Sequence, residues 1–306
     1  MRARILGAAA GGGFPQWNSN AEGCRRSRAG DRRALARTQA SLAVSADGEN
    51  WFLLNASPDL RQQIESTPCL HPKFGLRSSP IAGVVLTGGD VDAIAGLLTL
   101  RERQPLTVYG TESIHAVLNA NPVFEVLARD VVARQTVSVG TPVRLNLPDG
   151  TFSGLSATLF PVPGKVPLYL EEGSAAPAIV EGDQTVGAVI DSGSRRLFFI
   201  PGCARMTPGL ARRLDGADAV FFDGTLWTDD EMIRAGAGNK TGMRMGHMSV
   251  SGSDGTIEAF KRIRVGRKIL LHINNSNPVL LDDSPERAEA EAAGWNVGYD
   301  GMEIEL

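Results

Sequence analysis

Apolar runs just long enough for one buried strand recur along this chain, and each stops at glycine, aspartate or histidine before a turn or a helix-like stretch begins. The clearest is IAGVVLTGGDVDAIAGLLTLRER. Residues 81–87 read as a continuous strand, Gly88 and Gly89 allow a tight backbone, and a helix-like run follows from Asp92. Residues 41–44 and 51–54 form a hairpin pattern around Asp47-Gly48, a pair that accepts the positive φ angles of a tight turn. Ser57 is placed to cap a helix whose first residue is Pro58. A strand at 106–109 and a helix from about Thr111 repeat the alternation.

The second half is similar in style. Residues 186–190 and 196–200 read as a hairpin, 219–222 as a buried strand, and 269–273 as a strand that follows a basic, amphipathic helix. Ser284 opens a last helix through Ala293, and residues 302–306 close the chain as a strand. Two β-rich halves, each with its own helices, predict an α/β fold of sheets packed face to face with helices outside. Although 306 residues permit two domains, no low-complexity linker interrupts the pattern, so one domain over residues 1–306 is expected.

Composition removes several function classes. A net charge of −3 argues against nucleic acid as the main partner. No run approaches the roughly 18 apolar residues of a membrane-spanning helix. MRARILGAAAGGG is too short in its apolar part for an export signal and reads as a first strand ending in a glycine loop. Cys24, Cys69 and Cys203 are odd in number and widely spaced, which excludes a disulfide framework and a four-cysteine zinc site. Reduced thiols in the cytoplasm are the economical expectation. The cluster Arg25, Arg26, Arg28, Arg32, Arg33 and Arg37 can hold an acidic ligand, but reads first as a solvated loop.

Candidate chemistry collects at the strand ends. Asp90 and Asp92 stand at i and i+2, a spacing at which two carboxylates can converge on one cation; one of them can instead cap the following helix. Asp223, in DGTLW, is a third strand-end carboxylate. His272 closes the strand in ILLHINNSNP, and His247, in MGHMSVSGSD, lies in a loop free to point at a cleft. His71 and His115 have no such setting and are assigned to structure. Brought together, these three aspartates and two histidines favour iron or manganese over zinc, because carboxylates suit harder ions. Of the glycine-rich elements, GAAAGGGFPQWN lacks a dinucleotide pattern, and VPGKVPLY offers Lys165 as a partner for a carboxylate.

Several of these segments, in this order, closely resemble the protein B family of pyrroloquinoline quinone (PQQ) biosynthesis, within the metallo-β-lactamase superfamily: ILGAAAGGGFPQWN, LLNASPDLRQQI, LTGGDVDAIAGLLTLRE, PVPGKVPLYL, FFIPGCA, VFFDGTLW, MGHMSVSGSDG and LLHINNSNPVL. The resemblance implies an αβ/βα sandwich with a cleft at one edge of its two sheets. The superfamily's metal motif, HxHxDH, falls on Gly88, Asp90, Asp92 and Ala93. The mid-chain histidine falls near Pro163 or Gly164 and the bridging aspartate near Gly202, so only Asp92 and His272 survive in kind. A dinuclear zinc hydrolase is therefore disfavoured. Many family members resemble WNCNCxxC where this chain keeps only Cys24, which argues against structural zinc.

The activity implied by the resemblance is oxidation of a tyrosine-derived, glutamate–tyrosine precursor, with Fe(II) as cofactor and O2 as co-substrate. On that reading Asp90, Asp92 and His272 bind the metal, while Asp223 and His247 orient and transfer protons. Partners would be the small precursor and other PQQ biosynthesis proteins. The alternative is a non-catalytic carrier that assists transport of PQQ or its precursor towards the periplasm.

Overall fold

The computed structural model describes residues 1–171 and 178–306. Its strands are β1 Arg2–Gly7, β2 Ser41–Ser45, β3 Trp51–Leu54, β4 Ile81–Val85, β5 Leu106–Gly110, β6 Val132–Thr136, β7 Val143–Asn146, β8 Phe152–Pro161, β9 Val186–Asp191, β10 Arg196–Ile200, β11 Ala217–Asp223, β12 Val265–Leu271, β13 Trp295–Val297 and β14 Glu303–Glu305. They form two seven-stranded sheets, ordered β14-β1-β2-β3-β4-β5-β6 and β13-β12-β11-β10-β9-β8-β7. Each sheet begins antiparallel and continues parallel. The change falls between β3 and β4 in one sheet and between β10 and β11 in the other. The fold is thus the metallo-β-lactamase sandwich, two mixed sheets flanked by helices.

Alternation along the strands explains the layers. In the second sheet, Phe199, Phe221, Ile269 and Leu271 enter the core shared with the first sheet, beside Ile5, Leu42 and Val84. Their neighbours Phe198, Phe222, Val220 and Leu270 point the other way and pack with Leu210 and Leu214 of helix Pro208–Leu214 and with Ala290 of helix Pro285–Ala292. A strand apolar on both faces is covered on both faces. β14 pairs with β1, so the two chain ends meet in one sheet.

Local expectations are met at most boundaries. Thr111 and Ser284 cap their helices by accepting from Ile114 N and Arg287 N. Three helix expectations are corrected. The run after Asp90 is α-helical only over Val91–Ile94 and tightens to a 3₁₀ form over Ala95–Leu100. Tertiary contact diverts its ladder, since Ala56 N donates to Ala93 O (2.7 Å) and Gly96 N to Ala56 O (2.8 Å). Ser57 caps nothing: its helix starts at Leu60, and its hydroxyl donates to Gln63 Oε1 at 3.1 Å. The basic helix before β12 reduces to Thr256–Ala259 and a 3₁₀ turn, Phe260–Arg262.

The Gly96–Ala56 crossing tolerates no side chain: a Cβ on Gly96 would sit 2.0 Å from Ser57 O. Gly96→Ala is expected to cost about 1–3 kcal/mol in urea unfolding, the range for overpacking against an unyielding neighbour. Gly182→Ala, with nothing within 4 Å of the added atom, should be close to neutral.

Candidate functional site

Strand ends from both sheets deliver the site. After β4, Thr87 is fixed by Asn55, whose Nδ2 donates to Thr87 Oγ1 (2.9 Å) and whose Oδ1 accepts from Thr87 N (2.9 Å). Gly88 and Gly89 then carry the chain to Asp90. Asp90 precedes helix Val91–Ile94 but makes no side-chain cap bond, and the Asp92 carboxylate is occupied by His272. The helix-capping role open to this pair is therefore realised by neither side chain; both line a common cavity. His272 follows β12 directly in the left-handed region, at φ 55°, an uncommon conformation for a residue with a side chain.

All five predicted residues meet here. His272 Nε2 lies 2.8 Å from Asp92 Oδ2, and His247 Nδ1 lies 2.7 Å from Asp223 Oδ2. The two imidazoles stack with ring centroids 5.2 Å apart. Between them stands Thr225, a residue that strand-end reasoning missed although it lies two positions after Asp223 in DGTLW. Its hydroxyl is 2.7 Å from Asp223 Oδ1, 2.9 Å from His272 Nδ1 and 3.0 Å from His272 O. Donated to Asp223, the Thr225 proton leaves the hydroxyl oxygen to accept from His272 Nδ1–H, while His272 Nε2–H donates to the Asp92 carboxylate, so both ring nitrogens carry protons in this network and a metal at Nε2 would displace one of them.

Asp223, His247 and His272 present ligand atoms within 4.8 Å of one another, a span suited to one ion. The Asp223 oxygens are already engaged, however. Oδ1 accepts from Thr225 N and Oγ1, and Oδ2 from Cys203 N and His247 Nδ1. A fully buried carboxylate with four donors on it orients its neighbours rather than binding a cation. The groups that line the cavity and can offer lone pairs are Asp90, Asp92, His247 Nε2 and, once its proton to Asp92 is lost, His272 Nε2. Asp90 and Asp92 add carboxylates at the cavity wall, and carboxylates with imidazole suit a divalent ion of the harder kind, while among the described residues only Asp223, His247 and His272 bring three ligand atoms within 4.8 Å of one another.

Electrostatics agree with that assignment. Burial, reinforced by the charge of Asp92, raises the Asp90 carboxyl to about 6. Burial alone would raise Asp92 as well, but the hydrogen bond from His272 and the charges of both imidazoles hold it below its ordinary value. His272 is raised: its burial is outweighed by Asp92 and by the charges of Asp223 and Asp90. The positions of two missing superfamily ligands, a histidine at Gly88 and the bridging aspartate near Gly202, also map onto this site. A Cβ on Gly88 would approach Asp90 Oδ2 to 3.5 Å, and one on Gly202 would approach His247 Cε1 to 3.4 Å.

The cavity has a volume of 580 Å³ and is walled further by Gln16, Gln39, Lys165, Tyr169, Lys240 and Asn274. None of the six clustered arginines lines it. Arg26 and Arg33 pair with Asp31 and Asp283, and buried Arg37 donates to Gly298 O and Leu35 O, so this cluster ties loops together. Cys24 is buried, 3.6 Å from Asn275 Oδ1. His71 and His115 bond the backbone oxygens of Glu65 and Gln135. No helix among the described residues is long and apolar enough to cross a membrane.

Residues 50–273 match the beta-lactamase superfamily domain. The chain is 64% identical over 300 residues, covering 98% of each sequence, to coenzyme PQQ synthesis protein B of Gluconacetobacter diazotrophicus. It is 57% identical over 307 residues, covering 100% of each, to coenzyme PQQ synthesis protein B of Methylobacterium nodulans. The crystal structure of zinc-bound PqqB from Methylobacterium extorquens superposes with a TM-score of 0.95 at 54% identity, covering 100% of both chains. A diphosphatase of the PhnP family, with a TM-score of 0.68 at 19% identity and covering 100% of this chain and 97% of its own, shares the fold alone.

The Asp90 carboxyl generates a pH-dependent stability. Its folded value of about 6 lies above the unfolded one near 4, so in chelator-treated protein stability falls as pH rises through that interval. About two units correspond to roughly 2–3 kcal/mol at most. Asp90→Asn should therefore raise the Tm of metal-free protein at pH 7.5 and leave it nearly unchanged at pH 4, measured by scanning calorimetry at both pH values.

Proposed function

The chain belongs to the coenzyme PQQ synthesis protein B family, on the beta-lactamase superfamily fold, and acts in PQQ biosynthesis; we propose that its step is the iron- and O2-dependent oxidation of a tyrosine-derived, glutamate–tyrosine precursor. The observation that carries this reading is the donor inventory. Asp90, Asp92 and His272 line the cavity and would offer two carboxylates and, on loss of the Nε2 proton, one imidazole, whereas two histidines of the two-zinc motif are replaced by Gly88 and Ala93. Iron(II) held by these three residues would supply a redox-active Lewis acid with open positions for substrate and dioxygen.

The remaining roles fall to the protein. Asp223, immobilised by its four donors, fixes His247 through Nδ1, so that His247 Nε2 is the atom that takes the proton of a phenol hydroxyl. Thr225 accepts from His272 Nδ1–H, so that loss of the Nε2 proton on metal binding would leave Nε2 as the ligand atom. Tyr169 and the glycine loop of residues 11–12 narrow the cavity around a small aromatic substrate. Insertion of one oxygen atom into a ring C–H bond, with the other leaving as water, consumes two electrons from an external reductant. Nitrogen and oxygen donors bind zinc more tightly than iron(II), so on this reading zinc is a competitor that inhibits.

The test uses anaerobically iron-loaded protein, a Glu–Tyr dipeptide, ascorbate and then O2. Oxygen uptake and product gaining one oxygen atom are expected, with neither in zinc-loaded protein. Asp92→Ala should abolish iron retention and turnover together. His247→Gln should keep the iron and lower kcat by roughly 10²–10⁴-fold. Retention of iron and activity by Asp92→Ala would sink the reading. Tight binding of the finished quinone without any oxidation would favour the carrier instead.

A further inference from the structure

A second charged cluster sits at the rim of the same cavity and takes no part in the chemistry above. Lys165 lines the cavity, and its Nζ lies 2.9 Å from Glu171 Oε1. Arg244, next to the cavity residues Met245 and Gly246, places Nη2 at 2.9 Å from Glu171 Oε2 and Nη1 at 3.4 Å from Oε1. The side chains of Lys165, Glu171 and Arg244 are 13%, 9% and 23% exposed, well below a typical surface ion pair. Two cations from separate segments converge on one carboxylate at the edge of a catalytic pocket.

The surroundings show that this convergence is built. Gly246 has a φ of +91°, and a Cβ there would approach Lys165 Cγ to 3.3 Å, so the lysine stem passes directly over the residue preceding His247. Thr185 Oγ1 donates to Lys165 O at 2.8 Å and fixes the start of the segment. Within that segment Tyr169 donates from its hydroxyl to Gly89 O, in the loop that presents Asp90. Residues 165–171 therefore bridge the metal-candidate loop and the helix Gly242–Met245, with Leu168 lining the cavity and Leu170 exposed. The Lys165 charge reaches Asp90. An anion bound between Lys165 and Arg244 thus lies beside the candidate reaction centre.

We propose that Lys165 and Arg244 form the subsite that binds a carboxylate of the substrate, and that Glu171 is its in-chain occupant, displaced when substrate enters. This rests on the reading of the cavity as a site for a carboxylate-bearing, tyrosine-derived substrate. The guanidinium fork matches a carboxylate in bidentate fashion, and the ammonium adds a point charge with rotatable donors. Glu171 keeps the two cations paired while the site is empty of substrate. Such self-occupancy lowers apparent affinity by the fraction of time the subsite is filled.

The experiment is calorimetric titration of iron-loaded protein under argon, so that binding is read without turnover. The probes are Glu–Tyr and its carboxylate-free analogue Gln–Tyr amide. Lys165→Met and Arg244→Gln are expected to weaken Glu–Tyr binding roughly tenfold to hundredfold and to leave the amide analogue unchanged. Glu171→Gln should tighten Glu–Tyr several-fold, the opposite sign to that of a purely structural latch. Should Lys165→Met fail to fold, Arg244→Gln and Glu171→Gln carry the test. Equal wild-type affinity for the two probes, absence of Glu–Tyr binding, or weakening by Glu171→Gln overturns the proposal. Carboxylate-dependent binding followed by no oxidation on admitting O2 and reductant overturns only the proposed reaction.

Discussion

The rest of the site depends on one buried anion. Asp223 ends β11 with no solvent contact, and such a charge persists only if its hydrogen-bonding capacity is filled. The four donors that fill it come from the turn that follows, from the backbone at Cys203 and from His247. Satisfying Asp223 therefore fixes the Thr225 hydroxyl, which in turn bonds His272, whose other nitrogen meets Asp92 in the helix that follows β4 of the opposite sheet. A single desolvation requirement thus propagates as a chain of short contacts across both halves of the sandwich. Removing one member would leave a buried charge uncompensated rather than merely delete a contact.

The same chain separates two kinds of carboxylate that look alike in sequence. Asp223 is saturated and serves to orient; Asp90 is buried and crowded by Asp92, raised toward 6 despite the opposing charges of Lys165, His247 and His272. Like charges gathered at a cavity wall without a fixed partner are costly for the fold, and the cost is what a bound cation would relieve. Stability and chemistry consequently pull in opposite directions at position 90.

How much of this the sequence disclosed follows from the range of the interactions. Strand ends were legible at Asp90, Asp223 and His272, because an apolar run ending at a polar residue is a local signal. The pairing of His272 with Asp92 spans 180 positions and is written nowhere in the local pattern. Thr225 carried no periodicity to mark it, and its importance arises only from being equidistant between two rings brought together by different loops. The helix after Asp90 was overestimated for a similar reason. Its propensity extends to Arg103, but Ala56 captures the backbone groups of Ala93 and Gly96 and forces a tighter turn. The αβ/βα architecture, by contrast, depends on alternation and on turns such as Asp47-Gly48, and those are short-range.

The architecture also accounts for how donors can be lost while the fold persists. Asp223 ends a strand buried on both faces and His272 follows one directly, so their positions are set by packing several residues upstream. Gly88 and Gly202 occupy points where a side chain would enter the site, and glycine there removes a potential ligand without disturbing β4 or β10. Two of the non-glycine residues in left-handed backbone, Asn55 and His272, stand at these strand ends, and both are held by hydrogen bonds to a threonine. A scaffold that localises strain and ligands beyond its strands can change metal and reaction by substitution at single loop positions. Its core, which specifies the sheets, experiences none of those changes.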